Sequence, residues 1–139
     1  MNLEQTLILL KPDTIERGLT GEILRRVETK GYRIKNLRML TVDDTLLAEH
    51  YRDHIGKPYY VGMTSFMKSG PIVAAIIEGV RAIDGVRGLC GNTIPTEAAP
   101  GTIRGDLGHE YEDGIVHNLI HSSDSAESAA REIQIWFGE

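Results

Sequence analysis

A chain of 139 residues with a formal net charge of -5, 41% hydrophobic residues and 25% charged residues has the makeup of one soluble globular domain. It is long enough to bury roughly two thirds of its unfolded surface, while its acidic balance lacks the excess Lys and Arg that general nucleic-acid affinity needs. A single cysteine, Cys90, excludes an intramolecular disulfide, no apolar run approaches the ~20 residues that cross a bilayer, and the start shows no leader pattern, so a cytoplasmic setting without a membrane partner is expected.

Residues 6–10 are continuously apolar and run into Lys11-Pro12-Asp13, which reads as a buried central strand stopped by a proline that cannot donate to a ladder. Lys11 is left at the strand end, with its ammonium able to leave the core. Thr20 is placed to cap a helix whose Ile23, Leu24 and Val27 share a face, and Gly31 offers a left-handed stop. Residues 32–42 are rich in strand formers but alternate imperfectly around Asn36, which predicts a bulge or an edge position. Asp43 or Asp44 starts a second helical segment in which Leu47, Tyr51 and His54 share a face. Residues 59–68 carry Met63, Phe66 and Met67 at helical spacing, Ser69-Gly70-Pro71 ends that run, and residues 72–77 form a second continuously apolar strand. A helix diluted by Gly85 and Gly88 is predicted over residues 80–90. Residues 91–108 then read as one long loop, a length that in a compact domain usually marks function. After the polar patch 109–114, Ile115, Val116, Leu119 and Ile120 supply a last strand. Asp124 with Glu127 makes an aspartate variant of the capping box for a final helix that buries Ala129, Ile133, Trp136 and Phe137. Four strands and several helices in this order predict one α+β domain over residues 1–139, with helices covering an antiparallel sheet.

Lys11, Arg81, Arg87 and Arg104 lie in glycine-rich or strand-end contexts and are candidates for an anion site, since guanidinium forks match phosphate oxygens. Each alone also reads as a solvated surface charge, and for Arg81 that reading is preferred. Neither G-x-x-x-x-G-K-[ST] nor G-x-G-x-x-G occurs, so any nucleotide must be held by side chains. His109, His117 and His121 are close in sequence, but their spacings span a loop and a strand with no cysteine or carboxylate set beside them, which disfavours a structural metal. No serine stands in a G-x-S-x-G context. His121, where an apolar run meets a helix start, reads either as an ordinary polar residue at a strand end or as a reactive group. Glu132 borders the buried face of the final helix, where a carboxylate is costly without a partner. His121 is a suitable partner, because a carboxylate that orients a neutral imidazole leaves one ring nitrogen as a nucleophile.

Five motifs, Lys11-Pro12-Asp13, Lys57-Pro58-Tyr59-Tyr60, Ser69-Gly70-Pro71, Pro100-Gly101-Thr102-Ile103-Arg104-Gly105-Asp106 and Asn118-Leu119-Ile120-His121-Ser122-Ser123-Asp124-Ser125, together resemble the nucleoside diphosphate kinase family along nearly the whole chain. The resemblance implies a ferredoxin-like α+β sandwich, a four-stranded antiparallel sheet covered by helices. It also implies transfer of the γ-phosphoryl group from a nucleoside triphosphate to a nucleoside diphosphate, in two half-reactions through a phosphohistidine. Carried over residue by residue, it makes His121 the nucleophile, Glu132 its orienting carboxylate, Ser123 the support of that pair, and Tyr51 the neighbouring tyrosine. Lys11 and Asn118 match residues at the sugar hydroxyls and phosphate end, and Arg87, Thr93 and Arg104 match the phosphate clamp. His54 falls at a phosphate contact, and Tyr59 replaces the phenylalanine that stacks on the base. Such a platform, without hydrogen bonds to base edges, implies broad base specificity. The implied cofactor is Mg²⁺, held mainly by nucleotide phosphates rather than protein ligands, and the implied assembly is a homo-oligomer, tetramer or hexamer.

Two departures from the family pattern bear on the site. Ser122 stands where glycine or alanine is usual, so a left-handed backbone there would be strained. The stretch between Arg104 and His121, containing residues 107–114, is longer than the pattern, which leaves the second face of the base unassigned. A catalytically weak nucleotide-binding or regulatory protein of the same fold is the alternative, favoured if either departure displaces His121.

Overall fold

The computed structural model describes residues 2–115 and 117–138. Its sheet is antiparallel, with strands β1 (Leu3–Leu10), β2 (Arg33–Leu40), β3 (Ile72–Val80) and β4 (Ile120–Ser122) in the order β2-β3-β1-β4. Because successive strand residues face opposite sides, a continuously apolar strand requires cover on both faces. Ile8 and Leu10 pack on one side against Ile23, Val27, Val86 and Ile103. Leu7 and Leu9 pack on the other against Leu47, Met67, Ile133 and Trp136. All four of these β1 residues are fully buried, and each such side chain contributes about 2 kcal/mol relative to exposure.

The helices that supply this cover are α1 (Pro12–Glu16), α2 (Thr20–Lys30), α3 (Asp44–His50), α4 (Tyr60–Met67), α5 (Ala82–Cys90), α6 (Ile103–Leu107) and α7 (Ala126–Phe137). Several boundaries differ from the sequence reading for identifiable reasons. Pro12 stops β1 but also opens α1, since its fixed φ suits a first helical position where no donor is required. Thr20 is already helical and makes no cap; Leu19 precedes it without a side-chain bond, while Gly31 ends the helix at φ 110 as predicted. β2 does carry an irregularity between Ile34 and Asn36, and it lies at a sheet edge. Asp43 caps α3 by accepting the Leu46 N–H at 2.9 Å, but the helix ends at His50, so Tyr51 and His54 follow it, His54 within a 3₁₀ turn. β3 continues to Val80, and exposed Arg81 turns the chain at φ 55 into α5.

Residues 91–108 are not one loop. They hold a 3₁₀ turn, Pro95–Glu97, and α6, whose start is capped by the Thr102 hydroxyl accepting the Gly105 N–H at 2.9 Å. The last strand begins only at Ile120; Ile115 precedes it outside any strand, and Val116 lies outside the described residues. Ser125, not Asp124, caps α7 by accepting the Ser128 N–H at 3.1 Å, and Phe137 is only partly buried. Among the described residues, no helix is long and apolar enough to cross a membrane.

Candidate active site

His121 occupies the centre of β4, opposite Leu9 of the central strand. Its Nε2 lies 2.8 Å from Glu132 Oε1, and the same oxygen accepts the Ser123 hydroxyl at 2.7 Å. Ser123 is anchored in turn, its Oγ accepting the Leu7 N–H at 3.3 Å and its own N–H donating to the Leu7 carbonyl at 3.1 Å. These donors make a carboxylate that is only 5% exposed tolerable. With Nε2 donating to Glu132, the lone pair of the neutral ring resides on Nδ1.

The backbone strain expected at Ser122 lies elsewhere. Ser122 adopts strand geometry and is buried, so serine is accommodated there. Leu119 instead carries the left-handed backbone, at φ 73, and is fully buried. Asp13 accepts its N–H at 3.1 Å, and its carbonyl accepts the Thr14 hydroxyl at 2.7 Å and the Lys11 N–H at 2.8 Å. α1 therefore holds the turn that delivers the chain into β4.

His121 and Glu132 open onto a polar cavity of about 310 Å³ also lined by Lys11, Tyr51, His54, Arg87, Thr93, Arg104 and Asn118. Adjoining it is a more apolar cavity of about 410 Å³ lined by Tyr59, Met63, Phe66, Gly114 and Ile115, which shares Lys11, Tyr51, Thr93 and Asn118. The two form one cleft with a polar and an apolar end. Every predicted site residue lines it except Ser123, which stands behind Glu132. Ile115, from the longer stretch, supplies an apolar wall in the cavity that contains Tyr59.

Lys11 Nζ donates to Asn118 Oδ1 at 2.8 Å, and Asn118 Nδ2 donates to the Thr93 carbonyl at 2.9 Å, so strand end and loop are tied together. Burial, reinforced by the Arg104 charge, lowers the Lys11 pKa to about 8. Arg104, 9% exposed, spends its fork on backbone carbonyls: Nε on Asn118 at 3.2 Å, Nη1 on Gly91 at 2.9 Å and Nη2 on Ile120. Arg87 is exposed and reaches the Ser122 carbonyl at 3.4 Å. Burial, then the charge of Glu132, pushes the Tyr51 phenol up to about 12, so it remains a hydroxyl. His54 Nδ1 and the Tyr59 hydroxyl hydrogen-bond each other at 2.5 Å, joining two residues that the sequence treated separately.

Sequence reasoning missed His50, which is 5% exposed and lines the polar cavity. Its spacing three residues after Leu47 was the available signal, on the buried side of α3. Burial, then the neighbouring basic groups led by His121, holds its pKa well below the ordinary value, so the ring is neutral. Asp53 and Asp124 also line the cavity and went unpredicted. The three histidines close in sequence do not converge: His117 bonds Asp113 at 2.7 Å and packs on Phe66 and Tyr111, while His109 packs on Tyr111.

Donor atoms of His50, His121 and Glu132 do lie within 4.8 Å of one another. Two imidazoles and an oxygen already engaged by two donors do not suit Mg²⁺, which prefers oxygen ligands and retained water. Asp53 and Asp124 provide carboxylates at the cavity wall that fit an ion carried on phosphates.

Residues 4–139 match the family described as "Nucleoside diphosphate kinase". The chain is 54% identical over 135 residues to the nucleoside diphosphate kinase of Mycobacterium tuberculosis, covering 96% of each. It is 53% identical over 135 residues to that of Mycolicibacterium vanbaalenii, again covering 96% of each. Among solved structures it resembles the Halobacterium salinarum nucleoside diphosphate kinase in complex with CDP, with TM-score 0.92 and 42% identity over 99% of this chain and 90% of the other. It also resembles the Borrelia burgdorferi enzyme in a transition-state mimic with vanadate and ADP, with TM-score 0.91 and 36% identity over 97% of this chain and 87% of the other. The fold is thus the ferredoxin-like α+β sandwich expected from the sequence.

Proposed function

Since the chain belongs to the nucleoside diphosphate kinase family, we propose that its single domain moves the γ-phosphoryl group of a nucleoside triphosphate to a nucleoside diphosphate through a phosphohistidine on His121. The observation that carries this reading is the pairing of His121 Nε2 with Glu132, which leaves the lone pair on Nδ1 beside the polar cavity. In the first half-reaction Nδ1 attacks the γ-phosphorus, the N–P bond forms and the bond to the bridging oxygen of the departing diphosphate breaks. Glu132 balances the positive charge that develops on the ring, and Ser123 keeps that carboxylate in place. The second half-reaction reverses these steps onto a new diphosphate.

A transferring phosphoryl group chiefly needs positioning and charge neutralisation. Lys11, tied to Asn118, and exposed Arg87 supply positive charge, and Arg104 a charge fixed by three carbonyls. Thr93, His54 and Asn118 complete the polar end of the cleft, with Tyr51 beside the nucleophile. Asp53 and Asp124 are the carboxylates that would hold Mg²⁺ carried on the phosphates, where the ion would supply further charge neutralisation. Tyr59 offers a stacking face and Ile115 an apolar wall for the base, an arrangement that favours broad base specificity. A homo-oligomer is supported by edge strand β2, which exposes Leu37 and Met39.

The test is incubation with γ-labelled ATP and Mg²⁺ without acceptor. Acid-labile, alkali-stable label on the protein that discharges to added GDP supports the kinase reading. Steady phosphate release with no captured label indicates a hydrolase and overturns it.

A further inference from the structure

Two side chains one turn apart on α7 each hold an imidazole. Glu132 accepts from His121 Nε2 at 2.8 Å, and Trp136 Nε1 donates to His50 Nδ1 at 3.0 Å. The two imidazoles pack edge to face, with centroids 4.7 Å apart and planes at 82°. An indole nitrogen can only donate, so His50 Nδ1 must accept, and the proton of the neutral ring is confined to Nε2. Trp136 is 1% exposed and His50 5%, which keeps water from competing for that bond.

The contact matters because one hydrogen bond does not fix a ring. Held by Glu132 alone, the His121 imidazole can swing about the line from Nε2 to the carboxylate oxygen, and Nδ1 swings with it. A second ring set against it at nearly a right angle removes that freedom. We propose that His50, locked by Trp136 as the Nε2–H tautomer, is a positioning residue that braces the His121 ring for phosphoryl transfer. This rests on His121 being the phosphoryl carrier.

The same lock has a chemical consequence. Ligation of a soft divalent cation through His50 Nε2 would place the ring proton on Nδ1, head-on against the Trp136 N–H. Through that nitrogen His50 is a poor third ligand beside His121 and Glu132, which weakens the trio as a zinc site.

Trp136→Phe, which keeps an aromatic ring and removes the N–H, tests both points. Imidazole ¹⁵N spectra of the resting wild type should show His50 as the Nε2–H tautomer, and the variant should show a mixture. Single-turnover labelling at saturating ATP should slow about tenfold in the variant, as expected for a nucleophile held less well, while ADP affinity stays unchanged. Micromolar Zn²⁺ should inhibit labelling of the variant and leave the wild type active. A wild-type His50 protonated on Nδ1 overturns the proposal, as does a variant that mixes tautomers yet labels at the wild-type rate, or one whose ADP affinity falls in step with its rate. Should Trp136→Phe not fold, His50→Phe and His50→Ala decide: the variant that keeps a ring must label faster, and equal rates overturn the brace. Wild type that takes no label, or His121→Ala that does, removes the phosphohistidine reading itself, and the tautomer spectrum still reports on the lock.

Discussion

The carboxylate of Asp13 accepts the backbone N–H of Leu119 at 3.1 Å and so holds a buried leucine in a left-handed conformation two residues before His121. Its second oxygen, Oδ1, is buried with no hydrogen-bond partner among the described residues, and burial raises the carboxyl pKa. A neutral acceptor should therefore serve as well as a charged one. Asp13→Asn is expected to stay within about 1 kcal/mol of wild type, whereas Asp13→Ala, which strands the Leu119 N–H, should lose about 1–3 kcal/mol in urea denaturation. Equal losses in the two variants would show that the acceptor is not what matters.

Removing His121 and removing its partner Glu132 should differ in kind. His121→Ala is expected to take no label from γ-labelled ATP. Glu132→Ala should still be labelled, slowed on the order of a hundredfold as the imidazole loses its orientation. Equal labelling of wild type and His121→Ala would move the nucleophile to another residue.

Arg104 and Arg87 line the same cavity with different attachments, and their variants should separate accordingly. Arg104→Ala withdraws donors from the Gly91, Asn118 and Ile120 carbonyls, so both Tm and kcat/KM are expected to fall, the latter by about 3 kcal/mol of transition-state stabilisation. Arg87→Ala should lower kcat/KM and leave Tm unchanged, because that side chain is exposed. An Arg104→Ala enzyme with wild-type kcat/KM would remove this residue from the clamp.

Lys11 gives the site a pH dependence of known sign. Its pKa of about 8 means that the ammonium, the form that attracts phosphate, is lost from the empty site as pH rises through that value. Nucleotide affinity should weaken above about pH 8, and Lys11→Gln should bind weakly with this limb absent. Lowered from 10.5, the same pKa makes the unfolded chain hold the extra proton between about 8 and 10.5, so the contribution of Lys11 to stability rises with pH across that window. A limb that survives in Lys11→Gln belongs to another group.

The parts of the fold legible in the sequence were those where one physical demand dominates. Residues 7–10 and 72–77 are apolar at every position because both sheet faces are covered, and that pattern survives without any knowledge of topology. α6 was hidden because Gly105 lies inside it and Pro100 and Gly101 just before it, so local propensity reads as loop. Its helix forms through the Thr102 cap and the burial of Ile103, which only the folded chain supplies. The site divides the same way. Lys11, Arg104 and His121 stand in recognisable motifs, whereas His50 gains its place from Trp136, a partner 86 residues away. Leu119 carries no local sign of its backbone, since leucine is no glycine and the bonds that hold it come from α1.

β4 is three residues long and lies at a sheet edge, with His121 at its middle. With only three residues paired to β1, it owes much of its hold to bonds from outside the sheet, those of Arg104 to the Ile120 carbonyl and of Asp13 to the Leu119 N–H just before it. Loss of one of those bonds should therefore unseat His121 before it unfolds the sheet: in Asp13→Ala, low denaturant is expected to release the amides of β4 to exchange while those of β1 and β3 stay protected.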